Sequence, residues 1–291
     1  MSLKIYLNGK FVSKENAKVS VFDHGFLYGD GAFEGIRAYK SRVFRLKEHI
    51  DRMYETMHTL MINPGMTREQ MTKAVVDTLK ANKIADGYIR LIVSRGDGDL
   101  GLDPRKCYGK PNVIIIADKI ALYPAELYHK GMEIITVATN KNNSNALNPQ
   151  LKSLNYLNNI LAKMEATLCG YNEAIMMDTN GYVGECTGDN VFIIKNGVLS
   201  TPHLGRLKGI TADAILEIAQ QMKIKTHEGF ITRHEIYNAE ECFLTGTAAE
   251  LIPIVKVDGR AIGTGKPGAT TLKLLKAFHQ LTAKDGVKYS L

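Results

Sequence analysis

Lys152-Ser153-Leu154-Asn155-Tyr156 opens a strongly helical stretch just after the loop Asn148-Pro149-Gln150. Leu154, Leu157, Ile160, Leu161, Met164 and Leu168 recur at the spacing of a helix that buries one face. Lys152 then stands at a helix N-terminus, where a partial charge of roughly +0.5 disfavours an ammonium and favours the neutral amine that attacks carbonyls. Tyr156, four residues on, projects to the same side of such a helix. A lone lysine in this position is ordinarily a solvated side chain, so its meaning depends on what the rest of the chain supplies.

Two downstream segments supply it. Asp178-Thr179-Asn180-Gly181-Tyr182-Val183-Gly184-Glu185 reads as a hairpin whose second strand carries Glu185 ahead of the small residues Cys186-Thr187-Gly188. A carboxylate buried there needs a cationic partner. Leu207-Lys208-Gly209-Ile210-Thr211 leads into the helical pattern Ala214, Ile215, Ile218, Ala219, Met222 and offers an anion free N–H groups, a hydroxyl and the helix dipole. Pyridoxal phosphate uses all of these parts: an amine for its aldehyde, a hydrogen bond for its phenolic oxygen, an acid for its ring nitrogen and an anion seat for its phosphate.

Working outward, Asn8-Gly9, Asn180-Gly181, Asn196-Gly197 and Asp258-Gly259 each separate β-type runs and suit type I′ turns, so antiparallel strands are expected. Helices are expected from Leu46 to Ile62, with Ile50, Met53, Met57 and Leu60 on one face, and from Thr67 to Asn82, where Thr67 and Gln70 form a capping box. The Pro124 region parts the strand-like Val113–Ile116 from another at Glu133–Thr139. The expected organisation is α+β: a smaller N-terminal domain at 1–120, a linker at 121–130 and a larger domain at 131–291.

The residues quoted so far resemble the fold-type IV pyridoxal-phosphate enzymes and, within them, the branched-chain amino acid aminotransferases. The likeness also runs through Tyr28-Gly29-Asp30-Gly31-Ala32-Phe33-Glu34-Gly35-Ile36-Arg37, His49-Ile50-Asp51-Arg52 and Thr245-Gly246-Thr247-Ala248-Ala249-Glu250. Phe33-Glu34-Gly35-Ile36-Arg37 is its part most specific to the branched-chain group. The resemblance implies a small α/β domain followed by a larger one built on a mainly antiparallel, barrel-like sheet. It makes Lys152 the residue joined to pyridoxal 5'-phosphate, Tyr156 the partner of the phenolic oxygen and Glu185 that of the ring nitrogen. Arg52, Ile210, Thr211 and Thr247 fall to the phosphate, with Leu207 and Gly209 completing the cofactor shell. Tyr28 from a neighbouring subunit, Phe33, Tyr88, Arg90 and Tyr123 are expected at the substrate side chain, and the backbone at Thr247 and Ala248 at its carboxylate. The implied reaction is ping-pong exchange between Leu, Ile or Val and 2-oxoglutarate in a homodimer or larger homo-oligomer with shared sites. D-amino acid aminotransferases and aminodeoxychorismate lyases, on the same fold, are the alternative.

Other classes find less support. Of 291 residues 45% are hydrophobic and 23% charged, and the net +7 is interleaved rather than gathered in the stripe of a nucleic-acid binder. Gly96-Asp97-Gly98-Asp99-Leu100-Gly101 matches a dinucleotide fingerprint by spacing, but its two aspartates repel a pyrophosphate and no helix pattern follows. The histidines and the four cysteines, Cys107, Cys169, Cys186 and Cys242, show no metal-site spacing, so no metal is expected. The first residues lack the apolar core of a secretion signal, and no apolar run is long enough to cross a bilayer, which points to the cytoplasm.

Overall fold

The computed structural model describes residues 2–119 and 123–291. The chain divides into two compact units, one of Met1–Ile120, Leu151–Asn155 and Thr282–Leu291, the other of Ala121–Gln150 and Tyr156–Leu281. The units therefore interleave along the chain, unlike the contiguous domains expected at 1–120 and 131–291. Of the expected linker, residues 121 and 122 lie outside the described residues, and the helix Ala125–Lys130 occupies most of the rest.

The first unit holds β1 (Lys4–Leu7), β2 (Lys10–Ser13), α1 (His24–Tyr28), β3 (Gly31–Tyr39), β4 (Arg42–Val43), α2 (Leu46–Thr59), α3 (Arg68–Ala81), β5 (Gly87–Ser94) and β6 (Asn112–Asp118). With Val287–Lys288 from the far end of the chain, its strands form one antiparallel sheet in the order Val287–Lys288, β4, β3, β5, β6, β1, β2. Alternation sends Ile89, Leu91 and Val93 of β5 and Val113, Ile115 and Ala117 of β6 to one face. The apolar stripes of α2 (Leu46, Ile50, Met53, Met57) and α3 (Met71, Val75, Leu79) complete that core. The capping box at Thr67 and Gln70 starts α3 as the sequence anticipates.

The second unit holds α4 (Ala125–Lys130), β7 (Met132–Thr136), α5 (Leu157–Leu168), β8 (Ala174–Met177), β9 (Val183–Cys186), β10 (Asn190–Lys195), β11 (Val198–Pro202), α6 (Ile210–Gln221), β12 (Lys225–Gly229), α7 (Arg233–Tyr237), β13 (Glu241–Gly246), β14 (Glu250–Val257) and β15 (Arg260–Ala261). The helix α8 (Ala269–Thr282) follows, and Val287–Lys288 is β16. The strand order is β12-β11-β10-β13-β14-β7-β8-β9, with β15 on β14; pairing is antiparallel except at β11–β12, β14–β7 and β7–β8. This is the mainly antiparallel sheet of an α+β protein. Three of the four turn signals, at Asn8-Gly9, Asn196-Gly197 and Asp258-Gly259, take positive φ at both residues as a type I′ turn requires. At Asn180-Gly181 only the glycine does, because the Asp178 carboxylate accepts from the N–H groups of Asn180 and Tyr182 and shapes a different turn.

Two expectations for the opening stretch are corrected. α5 begins at Leu157, not at Lys152. Lys152–Leu154 is extended instead: Phe33 N–H donates to the Lys152 carbonyl (3.0 Å), Leu154 N–H to the Gly31 carbonyl (2.9 Å), and Ser153 lies opposite Ala32. With its backbone committed to β3, the segment cannot start a helix, so the helix-dipole argument for Lys152 does not hold. The apolar stripe of α5 is also not its buried face. Asn159, Ala162 and Ala166 are buried, while Leu157, Ile160, Leu161, Met164 and Leu168 are exposed by 46–85%. No helix among the described residues is long and apolar enough to cross a membrane.

Candidate active site

In the first unit, the site is built on the face of β3 opposite the core. Phe33, Gly35 and Arg37 alternate onto it, and the β3–β5 register sets Gly35 opposite Arg90 and Arg37 opposite Tyr88. The Lys152 Nζ stands 4.3 Å from the Phe33 ring centre and the Arg90 Cζ 4.6 Å from it. Arg90 Nη2 donates to the Tyr88 hydroxyl (3.2 Å). Gly35 leaves room there for Tyr88, whose hydroxyl a Cβ would overlap and push aside. Lys152, Phe33, Tyr88 and Arg90 are thus brought together. Tyr28 ends α1 with its hydroxyl on the Leu100 carbonyl (2.5 Å) and its ring edge-on to His24.

On the core face of β3, Glu34 is fully buried and accepts from Arg52 Nε (2.7 Å) and Nη2 (2.9 Å) and from His49 Nδ1 (2.7 Å). Burial alone would raise this carboxyl, but the charges and hydrogen bonds of Arg52 and His49 outweigh it and hold Glu34 far below the usual carboxylate range. Burial drives His49 down despite Glu34, so the imidazole is neutral and donates its Nδ1 proton.

In the second unit, the β8–β9 hairpin carries Glu185 as expected. Its cationic partner is Lys141, a buried lysine whose Nζ lies 2.7 Å from Oε1. Oε2 accepts from Asn190 Nδ2 (3.0 Å) and from the N–H of Leu207 (2.9 Å). Asn190 Nδ2 also donates to the Leu207 carbonyl (3.0 Å), and a Cβ on Gly209 would overlap Asn190 Oδ1, so the acid and the glycine cap of α6 are packed as one piece. Ile210 and Thr211 are buried in the first turn of α6, capped by Gly209. Thr247 and Ala248 lie half-buried in the β13–β14 turn. Tyr156 is the residue before α5, and its carbonyl accepts from Ile160.

Tyr123, expected at the substrate side chain, is buried with its hydroxyl 3.3 Å from Glu173 Oε2 and 3.1 Å from Asp189 Oδ2. Burial and the Glu173 charge push Asp189 up to about 7. The sequence assigns no role to Glu34, His49, Lys141, Asn190, Glu173 or Asp189, although Glu34 and His49 stand in quoted motifs. Glu34 and His49 had a signal: a charged residue in phase with Ala32, Ile36 and Ala38 on β3, and a histidine one helical turn before Arg52. No group of three or more His, Cys, Asp or Glu that could hold a metal occurs among the described residues.

A family model for class IV amino-transferases matches residues 31–257. The chain belongs to the class IV aminotransferases. It is 51% identical over 288 residues to a candidate branched-chain-amino-acid aminotransferase of Methanocaldococcus jannaschii, covering 98% of this chain and 99% of that one. Its fold matches the crystal structure of the Escherichia coli branched-chain amino acid aminotransferase with a TM-score of 0.94 at 34% identity, over 100% and 98% of the two chains. It matches that of the T.th. branched-chain amino acid aminotransferase with pyridoxamine 5'-phosphate with a TM-score of 0.93 at 35% identity, over 97% and 94%.

Proposed function

We propose that this class IV aminotransferase uses pyridoxal 5'-phosphate to exchange the amino group between branched-chain L-amino acids and 2-oxoglutarate, giving branched-chain 2-oxo acids and L-glutamate. The observation that carries the reading is the Lys152 amine held over Phe33 beside Arg90 and Tyr88, in a chain related over nearly its whole length to enzymes named for that reaction. The residues suit the cofactor. Glu185 receives three hydrogen bonds where a carboxylate has about four lone-pair positions, so one is left for a ring N–H. The Gly209 cap and first turn of α6 suit a phosphate, as does the fork of Arg52.

The bound cofactor supplies an electron sink that makes the substrate α-proton removable. The chain does the rest. Lys152 Nζ would take that proton from the substrate α-carbon and hold it for its return. The Glu185 carboxylate holds a proton at the ring nitrogen, and the Tyr156 hydroxyl donates to the phenolic oxygen. Arg52, Leu207, Gly209, Ile210, Thr211 and Thr247 seat the cofactor, and the Thr247-Ala248 backbone takes the substrate carboxylate. Phe33, Tyr88 and Arg90 meet the side chain with Tyr28 of a second copy, while Tyr123, whose hydroxyl is committed to Glu173 and Asp189, is left out of that role. The first oxo acid leaves before the second enters. The exposed stripe of α5 supports a homodimer or larger homo-oligomer, and the four unpaired cysteines suit the cytoplasm.

The test is borohydride reduction of the cofactor-loaded protein, peptide mapping, and an assay with paired L- and D-amino acids. Labelling at Lys152 with turnover of L-Leu, L-Ile and L-Val is expected. A label on another lysine, or turnover of D-amino acids alone, would sink the reading.

A further inference from the structure

Nothing in the proposed reaction uses Glu34, yet a wholly buried carboxylate is expensive to keep and holds its place only with matched partners. Its partners are both on α2, and it meets Arg52 side-on, with Nε on one oxygen and Nη2 on the other. Such a two-point grip fixes the plane of the guanidinium as well as its position, which a single contact does not. His49, neutral, donates to Oε2 and closes the carboxylate from the other side without adding charge. Consecutive residues of β3 therefore serve two purposes. Phe33 faces the Lys152 amine, while Glu34, on the opposite face, clamps an arginine of α2. One turn beyond Arg52, the Thr56 hydroxyl lies 3.4 Å from the Lys152 N–H, so α2 also touches the reactive segment.

We propose that Glu34 is a positioning residue for a phosphate-monoester seat: it orients Arg52 before the anion arrives and is itself never in contact with it. The proposal rests on the reading that Arg52 belongs to that seat. It accounts for the acid in Phe33-Glu34-Gly35-Ile36-Arg37 by geometry. A negative charge beside the arginine weakens its pull on an anion, so what Glu34 contributes must be direction rather than attraction.

The experiment is a binding titration of the full-length apoprotein with pyridoxal phosphate and with pyridoxal, which shares the ring and aldehyde but lacks the phosphate, with inorganic phosphate as competitor. The wild type is expected to prefer the phosphorylated ligand strongly. In Glu34→Gln that preference should shrink by about tenfold or more, the loss expected of a misaimed two-point contact, while pyridoxal affinity stays within about twofold. Equal weakening of both ligands would mark Glu34 as merely structural and overturn the proposal. So would an unchanged preference, or tighter phosphate binding on loss of the negative charge. If Glu34→Gln does not fold, Arg52→Lys decides, since it keeps the charge but cannot form the grip: phosphate-selective loss supports the proposal and a wild-type preference overturns it. A wild type with no preference would remove the phosphate seat itself, a failure of the underlying reading that is distinct from those outcomes.

Discussion

Lys141 and Glu185 are a buried ion pair, and the consequence of breaking it depends on which partner is left behind. In Lys141→Met the carboxylate remains buried with only neutral donors, Asn190 and the Leu207 N–H, which costs about 3–5 kcal/mol. Lys141→Met combined with Glu185→Gln leaves no charge uncompensated and should recover most of that loss. Thermal or urea unfolding of the apoprotein checks this as a double-mutant cycle, and additive losses would show that the two side chains are not coupled. The double variant should still transaminate poorly, since it lacks the acid proposed for the ring nitrogen. At this scale the residues of the proposed chemistry are legible in the sequence and their support is not. Lys152, Glu185 and Thr211 stand in short motifs whose neighbours announce them. Lys141 lies in a polar loop that resembles any solvated segment, and its pairing partner is remote in the chain.

Among elements, the β8–β9 hairpin, the start of β10 and the approach to α4 meet at a buried acid pair. Glu173 accepts from the N–H and hydroxyl of Thr187 and from the Ala174 N–H, while Asp189 shares the Tyr123 hydroxyl with it. Asp189 sits at about 7 in the folded chain against about 3.9 when unfolded, so the native state binds more protons across that interval. Stability contributed by this junction is therefore full in mild acid and declines as pH rises from about 4 to about 7. Asp189→Asn should remove the decline, and the melting-temperature difference between variant and wild type should widen in favour of the variant from pH 5 to pH 8. A constant difference would count against the raised Asp189 carboxyl. Helix positions were read well where cap and stripe agree, as in α3. They were read poorly for α5, because apolar spacing reports that a face will be covered and not by what. At Lys152 the spacing also continued into a segment that tertiary pairing with β3 makes extended.

For the whole molecule, the exposed stripe Leu157, Ile160, Leu161, Met164 and Leu168 is an apolar face of the kind that marks an interaction site. Paired substitution of Leu161 and Met164 by Asp should shift the protein to monomer in size-exclusion chromatography with scattering, while its far-UV circular dichroism is unchanged; wild type running as a monomer would dispose of self-association through α5. The interleaved units could not be read from sequence, because strand partners are set by long-range pairing that composition does not record. That pairing has an outcome for biosynthesis. β4 and its outer neighbour, β16, are far apart in the chain, so β4 is translated long before its partner. Tyr289, whose hydroxyl donates to the Ile84 carbonyl, arrives equally late. Through the elongation that separates them β4 thus presents an open row of peptide groups to any other nascent strand, and only the arrival of β16 shuts it.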